Sequence, residues 1–163
     1  MQAVLESSVP PLGPCSVTPQ SISWWERQRV LAAQWMREVE AAGEFDHPLA
    51  SHAASCLLLV VEFRGMPAES TRDPDSWEGI DAYEILFENV GLGGRNRVWE
   101  IEDVLRAVGS FAGFLGRHGE IPVADHARLQ VDYPLWMDRL VEVIDTGAWY
   151  ERDGTYLPPL AGH

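Results

Sequence analysis

Glu44, His47 and His52 surround one helix start and carry the side-chain types needed for acid–base or metal chemistry. Glu44-x-x-His47 has the spacing of the carboxylate–histidine unit that builds di-metal sites in helical bundles. Such a site uses the unit twice, with two further carboxylates, and this chain holds it once, in a stretch that reads as a loop. His47 and His52 stand five residues apart, a poor spacing for one helical face. They are expected to be structural or exposed, and a real centre would need Glu44, His47, His52 and Glu62 to converge. Asp125-His126 would need a serine to form a hydrolytic triad. There is no G-x-S-x-G elbow, and Ser110 falls inside a helix rather than on a strained turn. Gly91-Leu-Gly-Gly94 has the glycines of a phosphate loop, but no strand before it, no lysine after it and acidic surroundings. Cys15 and Cys56 lack the spacing of a zinc or redox pair and read as two reduced thiols. These patterns predict no catalytic residue, no metal site and no cofactor.

Charge is the stronger signal. The 163 residues carry 25 acids and 12 basic side chains, a net charge of -13, and every basic residue is arginine. A field of this sign repels nucleic acid and anionic membrane and attracts basic partners. The densest acidic stretch, residues 69–88, holds seven acids and one arginine. Read as a helix over residues 76–89, it gathers Glu78, Asp81, Glu84 and Glu88 on one side and Tyr83, Leu86, Phe87 and Val90 on the other, with Trp77 and Trp99 flanking it. Glu78, Asp81, Glu84, Glu88, Trp77 and Trp99 are therefore the candidate partner-binding residues: acids to attract a cationic surface, indoles to anchor it. The expected function is that of a small, acidic, non-catalytic helical protein that binds a basic partner protein, as a regulatory subunit, adaptor, antitoxin or immunity-type protein does. The alternatives are a nucleic-acid mimic whose acid rows imitate phosphates, and an enzyme with a site built from His47, His52 and carboxylates. Direct binding to nucleic acid or membrane is not expected.

Hydrophobic residues make up 46% of the chain and seven are Trp, enough for one domain with one core. Residues 1–18 lack the basic start and apolar segment of a signal peptide, and the longest apolar run, residues 56–61, is too short to span a bilayer. A cytoplasmic location is expected. The absence of lysine, with Asn89 and Asn96 the only asparagines, matches the codon bias of a GC-rich bacterial genome.

These groups must be positioned by helices. Residues 1–20, with Pro10, Pro11, Pro14 and Pro19, read as a flexible or extended arm, 21–147 as a helical domain, and 148–163 as a tail or hairpin turning at Asp153-Gly154. A capping box, Ser23 with Glu26, starts the first helix and Gly43 stops it, with Trp24, Trp25, Leu31, Ala32, Trp35, Met36, Val39 and Ala42 on its buried stripe. Asp46 and Pro48 start the second, which runs to Arg64; residues 56–61 have strand-like composition, but the Ala-rich lead-in favours helix. Residues 98–117 show the cleanest pattern, with Ile101, Val104, Leu105, Val108, Phe111, Ala112 and Leu115 on one face. This helix also holds Gly109, Gly113 and Gly116, each costing about 1 kcal/mol against Ala, which predicts close approach by a neighbour. A fifth helix over residues 123–132 is expected to kink or restart at Pro134 as residues 135–145, turning Leu135, Trp136, Leu140, Val143 and Ile144 inward. The fold class expected is all-α, a single-domain bundle of five or six helices with a C-terminal tail able to form a short β-hairpin.

Residues 104–121, VLRAVGSFAGFLGRHGEI, resemble the helical arm-type DNA-binding domain of tyrosine recombinases over less than a fifth of the chain. The resemblance implies a helix. No function is transferred with it, because phosphate contacts need a basic surface and this chain lacks one.

Overall fold

The computed structural model describes residues 19–64, 75–86 and 99–146. Among them the chain is all-α: α1 (Pro19–Ala41), α2 (His47–Arg64), α3 (helical over residues 82–86), α4 (Ile101–Arg117) and α5 (Val123–Thr146). The Pro-rich residues before 19, the Gly91–Gly94 stretch and the expected hairpin at Asp153-Gly154 lie outside the described residues.

α1 starts at Pro19, so Ser23 lies within it and is not its cap. Proline loses nothing at the first helical position, where the N–H has no intrahelical partner. The expected stop is in place. Gly43 takes φ +70°, and the N–H groups of Gly43 and Glu44 donate back to the carbonyls of Glu40 and Val39 at 3.0 and 2.9 Å, the Schellman closure. Gly119 ends α4 in the same way, with φ +76°. Of the expected α1 stripe, Ala32, Trp35 and Val39 are buried, Trp24, Trp25, Leu31 and Met36 pack partly against the core, and Ala42 is exposed beyond the last turn.

α2 is helical throughout, residues 56–61 included. Asp46 caps it: Oδ1 accepts the Leu49 N–H at 2.9 Å. Apolar on most sides, it belongs in the centre, and Ala50, Ala53, Leu57, Val60 and Val61 are buried.

α3 begins at residue 82, not at 76, because Asp81 caps it, its Oδ1 accepting the Glu84 N–H at 2.8 Å. Residues 75–81 are turns and extended backbone. Ala82, Ile85 and Leu86 face the core, and Tyr83, expected inward, is exposed.

α4 begins at Ile101, after Glu100 in extended conformation, and packs against α1, α2 and α5. Its expected stripe is buried from Val104 to Leu115, joined by Ala107 and Phe114, while Ile101 is partly buried. Phe111 stacks on Trp35 with ring centroids 5.0 Å apart, and the Trp35 indole donates to Ser110 Oγ at 3.1 Å, which gives the buried N–H its partner.

The α4–α5 contact explains two of the three glycines. A Cβ on Gly116 would lie 2.0 Å from His126 Nδ1, and one on Gly109 would lie 2.5 Å from Tyr133 Cε1. Both pairs are spaced by seven residues on their own helix and run in opposite directions. Two turns of α5 thus close on two turns of α4 along one seam. Gly113 meets only the far end of its own neighbour Arg117, 3.3 Å away. α5 is one continuous helix through Pro134, so of the two expected outcomes, kink or restart, the restart does not occur. The Tyr133 hydroxyl donates to the Leu105 carbonyl, so α5 is pinned to α4 next to the position where proline removes a backbone donor. Trp136 and Leu140 are buried, while Leu135, expected inward, is half exposed. The side chains of Val143 and Ile144 lie outside the described residues.

Gly116→Ala and Gly109→Ala should each cost about 1–3 kcal/mol through overpacking. Gly113→Ala should be neutral or stabilise by up to about 1 kcal/mol through helix propensity. Urea unfolding of the three variants measures the difference, and a common midpoint would mean that the α4–α5 seam is not close-packed.

Candidate functional site

The groups near His47 do not assemble a centre. His47 is exposed, with Nδ1 3.9 Å from Glu40 Oε2. His52 stacks on Trp99 with ring centroids 5.0 Å apart, and its Nε2 lies 3.6 Å from Cys56 Sγ one turn along α2. Glu44 and Glu62 are exposed. Among the described residues, no three His, Cys, Asp or Glu side chains come together as metal ligands. Burial pushes the Cys56 thiol up, away from the thiolate a nucleophile needs. Asp125 and His126 diverge: His126 packs on Gly116, while Asp125 accepts the Gly79 N–H at 2.9 Å and pairs with Arg128.

The acidic stretch is organised differently from an exposed helix. Non-helical backbone next to a core needs partners for its polar groups, and residues 75–81 receive them from several elements. From α2, the Arg64 side chain, 3% exposed, lies with Nε 2.7 Å from Glu84 Oε1. The same guanidinium donates to the carbonyls of Ser76 and Glu78 at 3.0 and 2.9 Å. From α1, Trp25 donates to Asp75 at 3.0 Å, and Gln28 accepts the Trp77 indole N–H at 2.8 Å. Gln28 in turn donates to Glu120 at 2.8 Å, beside the Arg27–Glu120 ion pair at 2.7 Å. From α5, Asp125 holds Gly79.

The six candidate residues are therefore not one face. Trp77 is 2% exposed and is core, not an anchor. Glu84 faces Arg64. Asp81 caps α3, and Glu78 is exposed. Trp99 is partly buried against His52. Glu88 lies outside the described residues. The i, i+3 and i+4 spacing placed the acids together only on the premise of a helix from residue 76, and the chain is not helical there.

Residues 79–83 and α5 instead enclose a groove of about 740 Å³, lined by Gly79, Asp81, Ala82, Tyr83, Arg128, Asp132 and Trp136. Arg128, Asp132 and Trp136 stand at i, i+4 and i+8 and so share one stripe of α5. Tyr83, 42% exposed, meets Trp136 edge to face, with centroids 5.2 Å apart and planes at 77°. Arg128 is paired with Asp125. Of these residues only Asp81 was a candidate from sequence. The signal for the others was the Asp132-x-x-x-Trp136 spacing, which reads equally as a core helix. A smaller cleft of about 180 Å³ runs beside the α4–α5 seam, lined by Gly113, His126, Tyr133 and Pro134 among others.

No protein-family model matches the chain, and no curated protein and no solved structure is significantly similar to it.

Arg64→Met should destabilise by about 3–5 kcal/mol, because it strips two carbonyls of their donor and leaves Glu84 without its cation. Adding Glu84→Gln should recover part of the loss. Thermal unfolding of the single and double variants measures this, and an Arg64→Met melt equal to that of the parent would rule out the clamp.

Burial also holds the Tyr133 phenol well above its ordinary value of 10.0. The unfolded chain then releases this proton before the folded one does, so the stabilisation is full below about pH 10 and falls as pH rises. Tyr133→Phe should cost about 1 kcal/mol at neutral pH through the lost hydrogen bond. It should also flatten the decline of stability above pH 10. Denaturant titrations across that range read both effects, and an unchanged alkaline slope would contradict the assignment.

Proposed function

We propose that this chain is a non-catalytic helical module that binds a basic partner protein. A net charge of -13 without lysine supports long-range attraction of a cationic surface. The observation that carries the reading is the groove. It sets Asp81 and Asp132 beside an exposed tyrosine and a tryptophan, and the one arginine among its described residues is paired with Asp125. Tyr and Trp are the residues that most often anchor interfaces. Regulatory subunits, adaptors, antitoxins and immunity-type proteins act through surfaces of this kind. No helix among the described residues is long and apolar enough to cross a membrane. The reading places the protein in the cytoplasm, where its thiols stay reduced.

Random peptides selected by display against the immobilised full chain should be enriched in Arg and Lys. Their binding should weaken with salt, since exposed charges are screened beyond about 8 Å at physiological ionic strength. Enrichment of neutral or acidic peptides, or salt-insensitive binding, overturns the reading. Charge reversal at Asp81 or Glu84 would damage α3 and is not a usable control. Glu78→Arg changes an exposed side chain, and it should slow association with the selected peptides while leaving the melting temperature unchanged.

A further inference from the structure

We propose that the groove between residues 79–83 and α5 seats one arginine side chain of the partner, its guanidinium stacked on Tyr83 over a floor of Trp136. The proposal rests on the function proposed above and names the side chain that the partner inserts.

The aromatic geometry comes first. An edge-to-face pair at 5.2 Å and 77° forms a corner, with Trp136, 4% exposed, as its floor and Tyr83, 42% exposed, as its wall. Cations bind over ring faces within about 6 Å of the centroid. The electrostatics agree. Among the described residues the lining carries two carboxylates, Asp81 and Asp132, and one cation, Arg128. Asp125 pairs with that cation from behind and is itself fixed by the Gly79 N–H at 2.9 Å. Among the groove's described residues, Asp125 included, acids outnumber cations by two, which favours an incoming cation over an anion.

Size and rigidity fit the same occupant. At about 740 Å³ the groove exceeds one side chain and leaves room for the flanking backbone of a peptide. Its wall is held before binding: Arg64 grips the Ser76 and Glu78 carbonyls, and Asp81 caps the helical turn that carries Tyr83. A preformed wall lowers the ordering cost of association. Arginine suits the corner better than lysine. Its planar, weakly hydrated guanidinium stacks on a ring face while its N–H fork reaches carboxylates at the rim, and an ammonium does neither as well.

The test is an NMR titration of the full-length protein with its tryptophan indoles labelled. The probes are N-acetyl-arginine methylamide, the lysine analogue, and the citrulline analogue, which keeps the shape and lacks the charge. The Trp136 indole resonance should move saturably with the arginine probe, several-fold more weakly with the lysine probe, and not with citrulline. The Trp35 indole, bound to Ser110 in the core, should stay still. Tyr83→Ala should abolish the Trp136 response, with the Trp35 and Trp77 resonances in place as evidence of an intact fold. Equal shifts from citrulline, shifts confined to other indoles, or a Trp136 signal that never moves overturn the proposal. A groove already filled by another part of the chain would produce that last result. If display selects basic peptides and Trp136 does not respond, the partner reading stands and the groove assignment falls. If Trp136 responds to arginine and display selects no basic peptides, the arginine site stands and the partner-protein reading falls.

Discussion

One buried guanidinium organises residues 76–84. Removing a cation from water costs several kcal/mol, recovered only where the charge is paired and its donors are used. Arg64 is ion-paired with Glu84 on one side and gives Nη1 and Nη2 to the Ser76 and Glu78 carbonyls on the other. Those carbonyls belong to backbone with no helix or sheet to satisfy it, so cation and segment each remove the other's desolvation penalty. The rest follows in sequence. With residues 76–78 fixed, Trp77 enters the core and donates to Gln28, which reaches Glu120 at the α4–α5 turn. Gly79 then presents its N–H to Asp125, and Asp125 orients Arg128. The groove wall is the last link in a chain that begins at the end of α2.

The opposite wall is set by the seam between α4 and α5. Gly116 against His126 and Gly109 against Tyr133 fix both the distance of the two helices and the rotation of α5 about its axis. A helix turns roughly 100° per residue. With Tyr133 facing α4, Asp132 and Trp136 must face roughly 60–100° to one side, and that side is occupied by residues 79–83. The glycines that weaken α4 as an isolated helix therefore determine where the α5 stripe points.

Local signals in the sequence were sufficient where local forces decide. The Asp46 cap, the glycine stop at Gly43, most of the buried stripe of α4 and the close approach at two of its three glycines are all legible from spacing and residue type. Three features were not, and each is decided by contacts distant in sequence. Pro134 costs about 3 kcal/mol inside a helix, and α5 nevertheless continues because burial of Trp136 and Leu140 and the Tyr133–Leu105 bond hold both halves to α4. The acids from Glu78 to Glu88 have helical spacing, so they read as a helix face. Arg64, Gln28 and Asp125 impose another conformation on its first part, and nothing near residue 78 in sequence announces them. Tyr83 was placed inward by the same premise, which hid the aromatic wall of the groove. Net charge is legible from composition alone, but its placement on the surface is not.

That placement changes what the acidic stretch means. Seven acids in twenty residues suggested mutual repulsion awaiting a cationic partner. Asp75, Asp81 and Glu84 are instead engaged internally, with a Trp25 indole, a helix N-terminus and a buried guanidinium. Part of the clustering is thus architecture, and the repulsion it causes is offset inside the molecule. What remains for a partner divides into two physical roles. On the proposed reading, the overall field of a chain with net charge -13 governs how fast a basic surface arrives. It carries little information about which basic surface that is, because a field of this kind attracts any cation. Discrimination must come from a short-range feature with shape, and the Tyr83–Trp136 corner with carboxylates at its rim is such a feature. On the proposed reading, attraction resides in the composition of the whole chain, and selectivity in a few residues whose positions Arg64 and the two α4 glycines determine.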